Sequence, residues 1–129
     1  MTVIAAFDLS KASAGWAAWD PTSPRPIYGS QRLGHANLTS PGLVFARVHG
    51  LMDDVHKLTG FDVAYVEEPL QPQAVQSHTT FDTLLLLYGL FAHAHSFCEA
   101  KGIRIQSPNQ TTWRRNFIGK MKRGTKSTD

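Results

Sequence analysis

The chain has 129 residues, of which 42% are hydrophobic, and it carries a formal net charge of +3. This length can bury about two-thirds of the unfolded surface in one core and is too short for two full domains, so we expect one domain over residues 1–129. A single cysteine, Cys98, excludes an intrachain disulfide and fits a reducing cytoplasm. The apolar run 84–94 is far shorter than the ~20 residues of a membrane span, and we expect no secretory leader.

The charge is distributed unevenly along the chain. Residues 1–100 contain five Lys/Arg and nine Asp/Glu, whereas residues 101–128 contain eight Lys/Arg and no acid. A cationic segment of this kind is typical of a protein with a phosphate-rich partner, nucleic acid above all, and it also occurs as a solvated tail.

The first half of the chain predicts an antiparallel meander followed by a helix. Strands are expected over Thr2–Leu9, Gly15–Asp20 and Ile27–Leu33, because β-branched and small residues alternate there and short turns separate the runs. Ser40 can cap a helix from Pro41 to about Leu58, and Thr59-Gly60 ends that pattern. Helical spacing in this segment is followed by Leu43, Ala46, Leu51, Val55 and Leu58.

The second half predicts two more strands that alternate with helices. Phe61–Glu67 is apolar on both faces, as a buried parallel strand would be, and Ile103–Ile105 forms a second short strand. Between them a helix is expected from His78 or Thr79 to Lys101, ended by Gly102. A last short helix begins at Pro108-Asn109, and residues 118–129 form a flexible basic segment. The inner side of the long helix is predicted to carry Leu84, Leu87, Tyr88, Phe91, Ala92 and His95.

The element order β-β-β-α-β-α-β-α indicates the α/β class. Three antiparallel strands followed by two parallel ones predict a mixed five-stranded sheet with helices on both sides. In open α/β sheets, ligands collect at the carboxyl ends of the strands, where the strand order changes direction. Candidate functional residues should therefore lie at those ends.

Two acids end the two apolar strand runs. Asp8 shares a strand face with Ile4 and Ala6, and Glu67 shares one with Val63 and Tyr65. If the strands are parallel neighbours about 4.8 Å apart, the two carboxylates lie within several ångströms of each other. Removing them from water is costly unless a partner compensates, and oxygen ligands favour Mg²⁺ or Mn²⁺. A cation beside a basic segment indicates phosphodiester chemistry.

These motifs resemble a known family. Phe7-Asp8-Leu9-Ser10 followed by Gly15-Trp16-Ala17 is similar to the first-strand motif of RuvC-type Holliday-junction resolvases. Val63-Ala64-Tyr65-Val66-Glu67 is similar to their second acidic motif. The resemblance covers most of the chain and extends to element order. It implies an RNase H-like fold, a homodimer, two-metal hydrolysis with Mg²⁺ or Mn²⁺, and symmetric nicking of four-way DNA junctions.

The resemblance also assigns roles to residues. Asp8 would ligate both metals and Glu67 one of them. The loop 68–73, with Gln71 and Gln73, would approach the junction core. Phosphate contacts are expected from Lys120, Lys122, Arg123 and Lys126. Arg114 and Arg115, beside Trp113, could stack on a base or clamp a phosphate, but the i, i+4 spacing of Trp113 and Phe117 favours packing against the sheet.

One departure from the family pattern affects the expected activity. The family ends in a helix with two more acids that complete the metal site, and Asp129 stands where that region should begin. The sequence thus predicts either a domain truncated at its carboxyl end or a protein that has lost two ligands, with weak metal binding and poor cleavage. The alternative function is a catalytically defective module that binds branched DNA.

Other interpretations of single residues remain open at this level. Asp8 can instead accept backbone N–H bonds from the turn at Ser10 to Ala12, and Glu68 is expected to face solvent or to support the metal ligands from behind. No histidine pair has metal-ligand spacing, because His93 and His95 fall on different helix faces. Phosphate-cradling glycine loops and nucleophile-elbow glycines are missing from the sequence, which argues against nucleotide binding and serine hydrolase chemistry.

Overall fold

The computed structural model describes residues 2–35, 38–69 and 80–107. In chain order the elements are β1 (Ile4–Asp8), β2 (Ala14–Trp19), β3 (Ile27–Gln31), α1 (Pro41–Thr59), β4 (Val63–Val66), α2 (Phe81–Lys101) and β5 (Arg104–Gln106). They form one five-stranded sheet in the order β3-β2-β1-β4-β5. The pairs β1–β2 and β2–β3 are antiparallel, whereas β1–β4 and β4–β5 are parallel. The predicted mixed sheet is therefore confirmed, with β1 at its centre.

The element bounds differ from the predicted ones by a few residues. The strands β1, β3 and β4 are shorter than expected, while β2 begins one residue early and β5 lies one residue later. The start of α2 was predicted at His78 or Thr79, but the helix begins at Phe81. The reason is a cap: the Thr80 side chain accepts a hydrogen bond from the Thr83 backbone N–H, which satisfies a donor that the first helical turn leaves free.

The predicted ends of α1 are confirmed by its caps. Ser40 is extended, and its hydroxyl accepts from the Leu43 N–H at 3.3 Å. At the other end Gly60 has a φ of 66°, and its N–H donates to the His56 carbonyl. This left-handed conformation is strained for residues with a Cβ, so glycine ends the helix at this point.

The core lies between one face of the sheet and the two helices. Ala5 and Phe7 of β1, with Ala64 and Val66 of β4, point into it. From the helices the buried residues are Val44, Val48, Leu51, Met52 and Val55 of α1 and Leu90, Ala94, Phe97 and Cys98 of α2. Since both described helices cover this face, the strand residues that alternate with the core residues lie on the opposite face.

The predicted inner side of α2 was correct only in part: Phe91 packs against the buried core. None of the six residues assigned to its inner side is fully buried, and Leu87 and Ala92 are exposed. Apolar residues occur on every side of its first half, so periodicity could not fix which side faces the sheet. Of the α1 residues that follow helical spacing, Leu51 and Val55 are buried, whereas Leu43, Ala46 and Leu58 are exposed.

Two predictions cannot be compared with the structure. The last short helix and the flexible basic segment 118–129 lie outside the described residues. Helices on both sides of the sheet therefore stay a prediction. None of the helices in the described ranges is long and apolar enough to cross a membrane.

Candidate active site

The register of two parallel strands brings Asp8 and Glu67 together. Asp8 is the last residue of β1, and Glu67 directly follows β4. In the ladder between these strands Phe7 lies opposite Val66, so Asp8 and Glu67 occupy the next matching position. Neighbouring parallel strands lie about 4.8 Å apart, which makes the two acids adjacent at the carboxyl edge of the sheet.

Both acids lie on the sheet face that the described helices leave uncovered. Phe7 and Val66 are buried, whereas Asp8 and Glu67 are exposed, as strand alternation requires. Asp8 was expected to be a buried charge that needs a partner. Its exposure changes that reasoning, because a hydrated carboxylate has no desolvation cost to offset. Binding of a cation at this site would instead be favoured by its attraction to two adjacent negative charges.

The alternative role for Asp8, in which its carboxylate accepts backbone N–H bonds from the turn at Ser10 to Ala12, is not observed. In the described part of the chain no hydrogen bond or ion pair involves the Asp8 or the Glu67 carboxylate. The turn is closed instead by Ser10, whose hydroxyl donates to the Ser13 carbonyl at 2.7 Å and accepts from the Ser13 N–H at 3.2 Å. The two carboxylates are thus available to a ligand.

Two clefts meet at the acidic pair. An open cleft of about 670 Å³ lies on the uncovered face, where Asp8 and Glu67 stand beside Gly15, Ala17 and Tyr65. A smaller cleft of about 190 Å³ separates the same two acids from α2. From β2 the open cleft is lined by the small residues Gly15 and Ala17 and by Trp16.

Glu68 has a different environment from its neighbour. It is half-buried, lines the smaller cleft with Asp8 and Glu67, and has interactions of its own. The expected solvent-facing position is therefore not observed. Strand alternation instead directs Glu68 toward the helix side of the sheet, where it can support the acidic pair from behind.

The acidic pair fits a hard divalent cation in part. Two carboxylates supply oxygen ligands, and Mg²⁺ is commonly bound by one or two carboxylates together with water and substrate phosphates. Within residues 2–35, 38–69 and 80–107, however, no group of three His, Cys, Asp or Glu side chains is placed to hold a metal ion. Asp8 and Glu67 would hold such a cation, with its other ligands coming from elsewhere.

The predicted DNA contacts fall outside the described residues. These are Gln71, Gln73, Arg114, Arg115, Lys120, Lys122, Arg123 and Lys126. Sequence reasoning also assigned no role to Lys11, which the structure places in a third cleft near the turn after β1. The signal that could have found it is a cation only three residues after Asp8.

Comparisons with known proteins give matches in structure but none in sequence. No family model matches the chain, and no curated protein matches it. Thermus thermophilus RuvC in complex with a Holliday junction substrate has a TM-score of 0.68 and 10% identity, over 99% of this chain and 85% of that one. A second Thermus thermophilus RuvC structure has a TM-score of 0.57 and 12% identity, over 88% of this chain and 68% of that one.

A eukaryotic resolvase has a similar structure. The yeast mitochondrial Holliday junction resolvase Ydc2 has a TM-score of 0.61 and 11% identity, over 93% of this chain and 57% of that one. The strand order and the pairing directions of the sheet agree with the fold that the sequence motifs predicted. The chain therefore has the RNase H-like fold of RuvC-type Holliday-junction resolvases.

Proposed function

We propose that the protein is a metal-dependent, structure-selective DNA endonuclease that hydrolyses phosphodiester bonds at four-way junctions. The observation that carries the proposal is the acidic pair. Asp8 and Glu67 occupy matching positions at the carboxyl ends of adjacent parallel strands, on the fold of junction resolvases. The open cleft on the uncovered face gives a DNA strand access to both carboxylates.

In this proposal Asp8 and Glu67 bind one or two Mg²⁺ or Mn²⁺ ions. When bound, such ions lower the pKa of an attacking water and neutralise charge on the leaving oxygen. The two carboxylates, which have no protein partner in the described part of the chain, position the cation at the strand ends. Glu68, half-buried in the smaller cleft, would support the acidic pair from behind.

The distribution of basic residues supports DNA as the substrate. Residues 101–128 hold eight Lys/Arg and no acid, so this segment has the charge needed to neutralise phosphates. We propose that Arg114, Arg115, Lys120, Lys122, Arg123 and Lys126 contact the DNA backbone, and that Gln71 and Gln73 contact the junction core. A homodimer, which would present two acidic pairs to one junction, belongs to the same proposal.

A second candidate function is a branched-DNA-binding module without cleavage activity. It is favoured by the small number of ligands, since the described residues contain no group of three metal-binding side chains. Two carboxylates bind a divalent cation weakly unless the phosphate supplies further ligands. Such a module would bind junctions with an affinity that falls steeply with salt and would yield no metal-dependent product.

Cleavage of a synthetic four-way junction tests the proposal directly. Labelled junction and linear duplex of the same sequence are incubated with Mg²⁺ or Mn²⁺ and the wild type, Asp8→Asn, Glu67→Gln or Asp54→Asn. Asp54 is an exposed acid of α1, outside both clefts, so Asp54→Asn controls for the loss of one negative charge. Losing a group that positions the cation should lower the rate by about 10²-fold or more.

The outcomes separate the candidate functions. Junction-selective nicking by the wild type and by Asp54→Asn, lost in the other two variants, supports the endonuclease. Nicking that persists in Asp8→Asn refutes the proposed site. Tight, salt-sensitive binding without any product supports the binding module.

A further inference from the structure

The third cleft lies beside the turn after β1 and has a volume of about 520 Å³. Its polar lining consists of Lys11, Thr39, Ser40, Thr80, Asp82 and Thr83. One cation and four hydroxyl side chains thus share a cleft with one acid, at the place where α1 and α2 begin. This composition is rich in hydrogen-bond donors and suits an anion.

The backbone of Lys11 is held in place by the chain after β3. Its carbonyl accepts hydrogen bonds from the Leu33 N–H at 3.0 Å and from the Gly34 N–H at 2.9 Å. Because the backbone is already ordered, a ligand of Lys11 has only the side chain left to immobilise. Neither salt bridge in the described part of the chain involves Lys11, so its charge is not neutralised by an ion pair there.

Two hydroxyl groups in the cleft retain free donors. The Thr39 hydroxyl oxygen accepts from the His35 N–H at 2.9 Å, and the Ser40 oxygen accepts from the Leu43 N–H at 3.3 Å. Neither hydroxyl donates to an acceptor among the described residues. A hydroxyl that accepts one bond can still donate its own hydrogen. Both O–H groups are therefore available to an anionic oxygen.

Asp82 also lines this cleft, and its negative charge opposes the binding of an anion. Its charge favours the first turn of α2, which gives it a structural reason to be there. Lys11 compensates one negative charge, and the helix starts add a smaller positive contribution. An anion that binds here must therefore be fully ionised and must accept several hydrogen bonds, as a phosphodiester group does.

We propose that this cleft binds a phosphate of the DNA backbone, with the Lys11 ammonium and the Thr39 and Ser40 hydroxyls as donors. The inference rests on the proposed DNA-binding function. Lys11 follows Asp8 by three residues, so at most about 11 Å of chain separates the two backbones. Both features lie at the carboxyl end of β1, so a phosphate held by Lys11 would help to position DNA that reaches the acidic pair.

Salt-dependent binding measures this contact without cleavage. Fluorescence anisotropy with a labelled four-way junction in EDTA gives the association constant of the wild type, Lys11→Gln, Asp82→Asn and Lys57→Gln over a range of salt concentrations. Lys57 is the matched control, because it is an exposed lysine of α1 paired with Asp53 outside the cleft. Thermal unfolding of each variant shows that it is folded.

One lost phosphate contact has a defined effect. For Lys11→Gln we expect about three- to tenfold weaker binding at low salt and a slope of log K against log salt that is shallower by about 0.9. Asp82→Asn should bind more tightly than the wild type, and Lys57→Gln should match it. The inference is overturned if Lys11→Gln keeps the wild-type slope of log K against log salt, or if Asp82→Asn does not bind the junction more tightly. Junction cleavage that depends on Asp8 would still support the proposed function in that case. A wild type that does not bind junction DNA overturns both.

Discussion

Gly89 allows α1 and α2 to approach closely, and the substitution Gly89→Ala, which adds one methyl group, tests this contact. A Cβ at position 89 would overlap the ring of Phe45, 2.5 Å from Cε1 and closer still to Cζ. That ring cannot move freely, because it stacks on His93 with ring centroids 4.7 Å apart and planes 17° apart. The substitution Gly89→Ala must therefore displace Phe45, the helix or both.

Two opposing contributions determine the size of the effect. Alanine in place of glycine inside a helix stabilises by about 1 kcal/mol. Overpacking a well-packed contact costs about 1 to 3 kcal/mol, which includes the loss of the ring stacking. The net change for Gly89→Ala is thus a loss of about 0 to 2 kcal/mol. At this chain length each 1 kcal/mol corresponds to roughly 4 °C in Tm.

Gly50 provides the matched control. It lies inside α1, and a Cβ there would meet no atom within 4 Å. Gly50→Ala should therefore gain about 1 kcal/mol, so urea or thermal unfolding should separate the two alanine variants by about 1 to 3 kcal/mol.

A double-mutant cycle completes the test. In a Phe45→Ala background the clash is gone, and Gly89→Ala should stabilise the protein as Gly50→Ala does, with a coupling energy of about 1 to 3 kcal/mol. If Gly89→Ala in the wild-type background is as stable as Gly50→Ala, the close packing of the two helices deduced from the structure is refuted.

Two further predictions concern titratable side chains in the helices. Burial first, and then the charge of His93 across a 3.0 Å hydrogen bond, lowers the pKa of His49 below its usual 6.5. As pH falls, His49 therefore takes up a proton in the unfolded state before it does so in the folded state. The free energy of unfolding should fall as pH drops through about 6.5. His49→Gln should reduce this pH dependence, which urea titrations at several pH values measure. Burial raises the pKa of the Cys98 thiol to about 11, so a thiol reagent at pH 8 should modify it only at the rate of unfolding; rapid modification of the native protein would contradict its position in the core.

Much of the fold could be predicted from local chemistry. Ser40 before Pro41 and the left-handed Gly60 mark the ends of α1, and the structure confirms both. Short turns force the first three strands into an antiparallel meander, and helical crossovers force the later strands to be parallel. These outcomes depend on neighbours in the chain, which is why the sequence alone could predict them.

The candidate site was predictable only in part. Asp8 and Glu67 were identified because an acid at the end of an apolar strand is unusual, and the register of β1 with β4 places them as expected. The exposure of these two acids was not predicted, because an apolar strand sequence does not show which face of the sheet α1 and α2 will cover. Lys11 was missed because the cleft around it is built from three separate parts of the chain.

The sequence by itself determined the order of the elements, the ends of α1 and the two acids at the strand ends, because each follows from residues close together in the chain. Tertiary structure alone decided which side of α2 is buried, the contact of Gly89 with Phe45, and the hydrogen bond between His49 and His93, whose positions are 44 residues apart. The physical reason is the same in all three cases. Such contacts depend on how the two helices pack on one sheet. Helices with the same apolar periodicity can pack in different rotations about their own axes, so the periodicity alone does not select one of them.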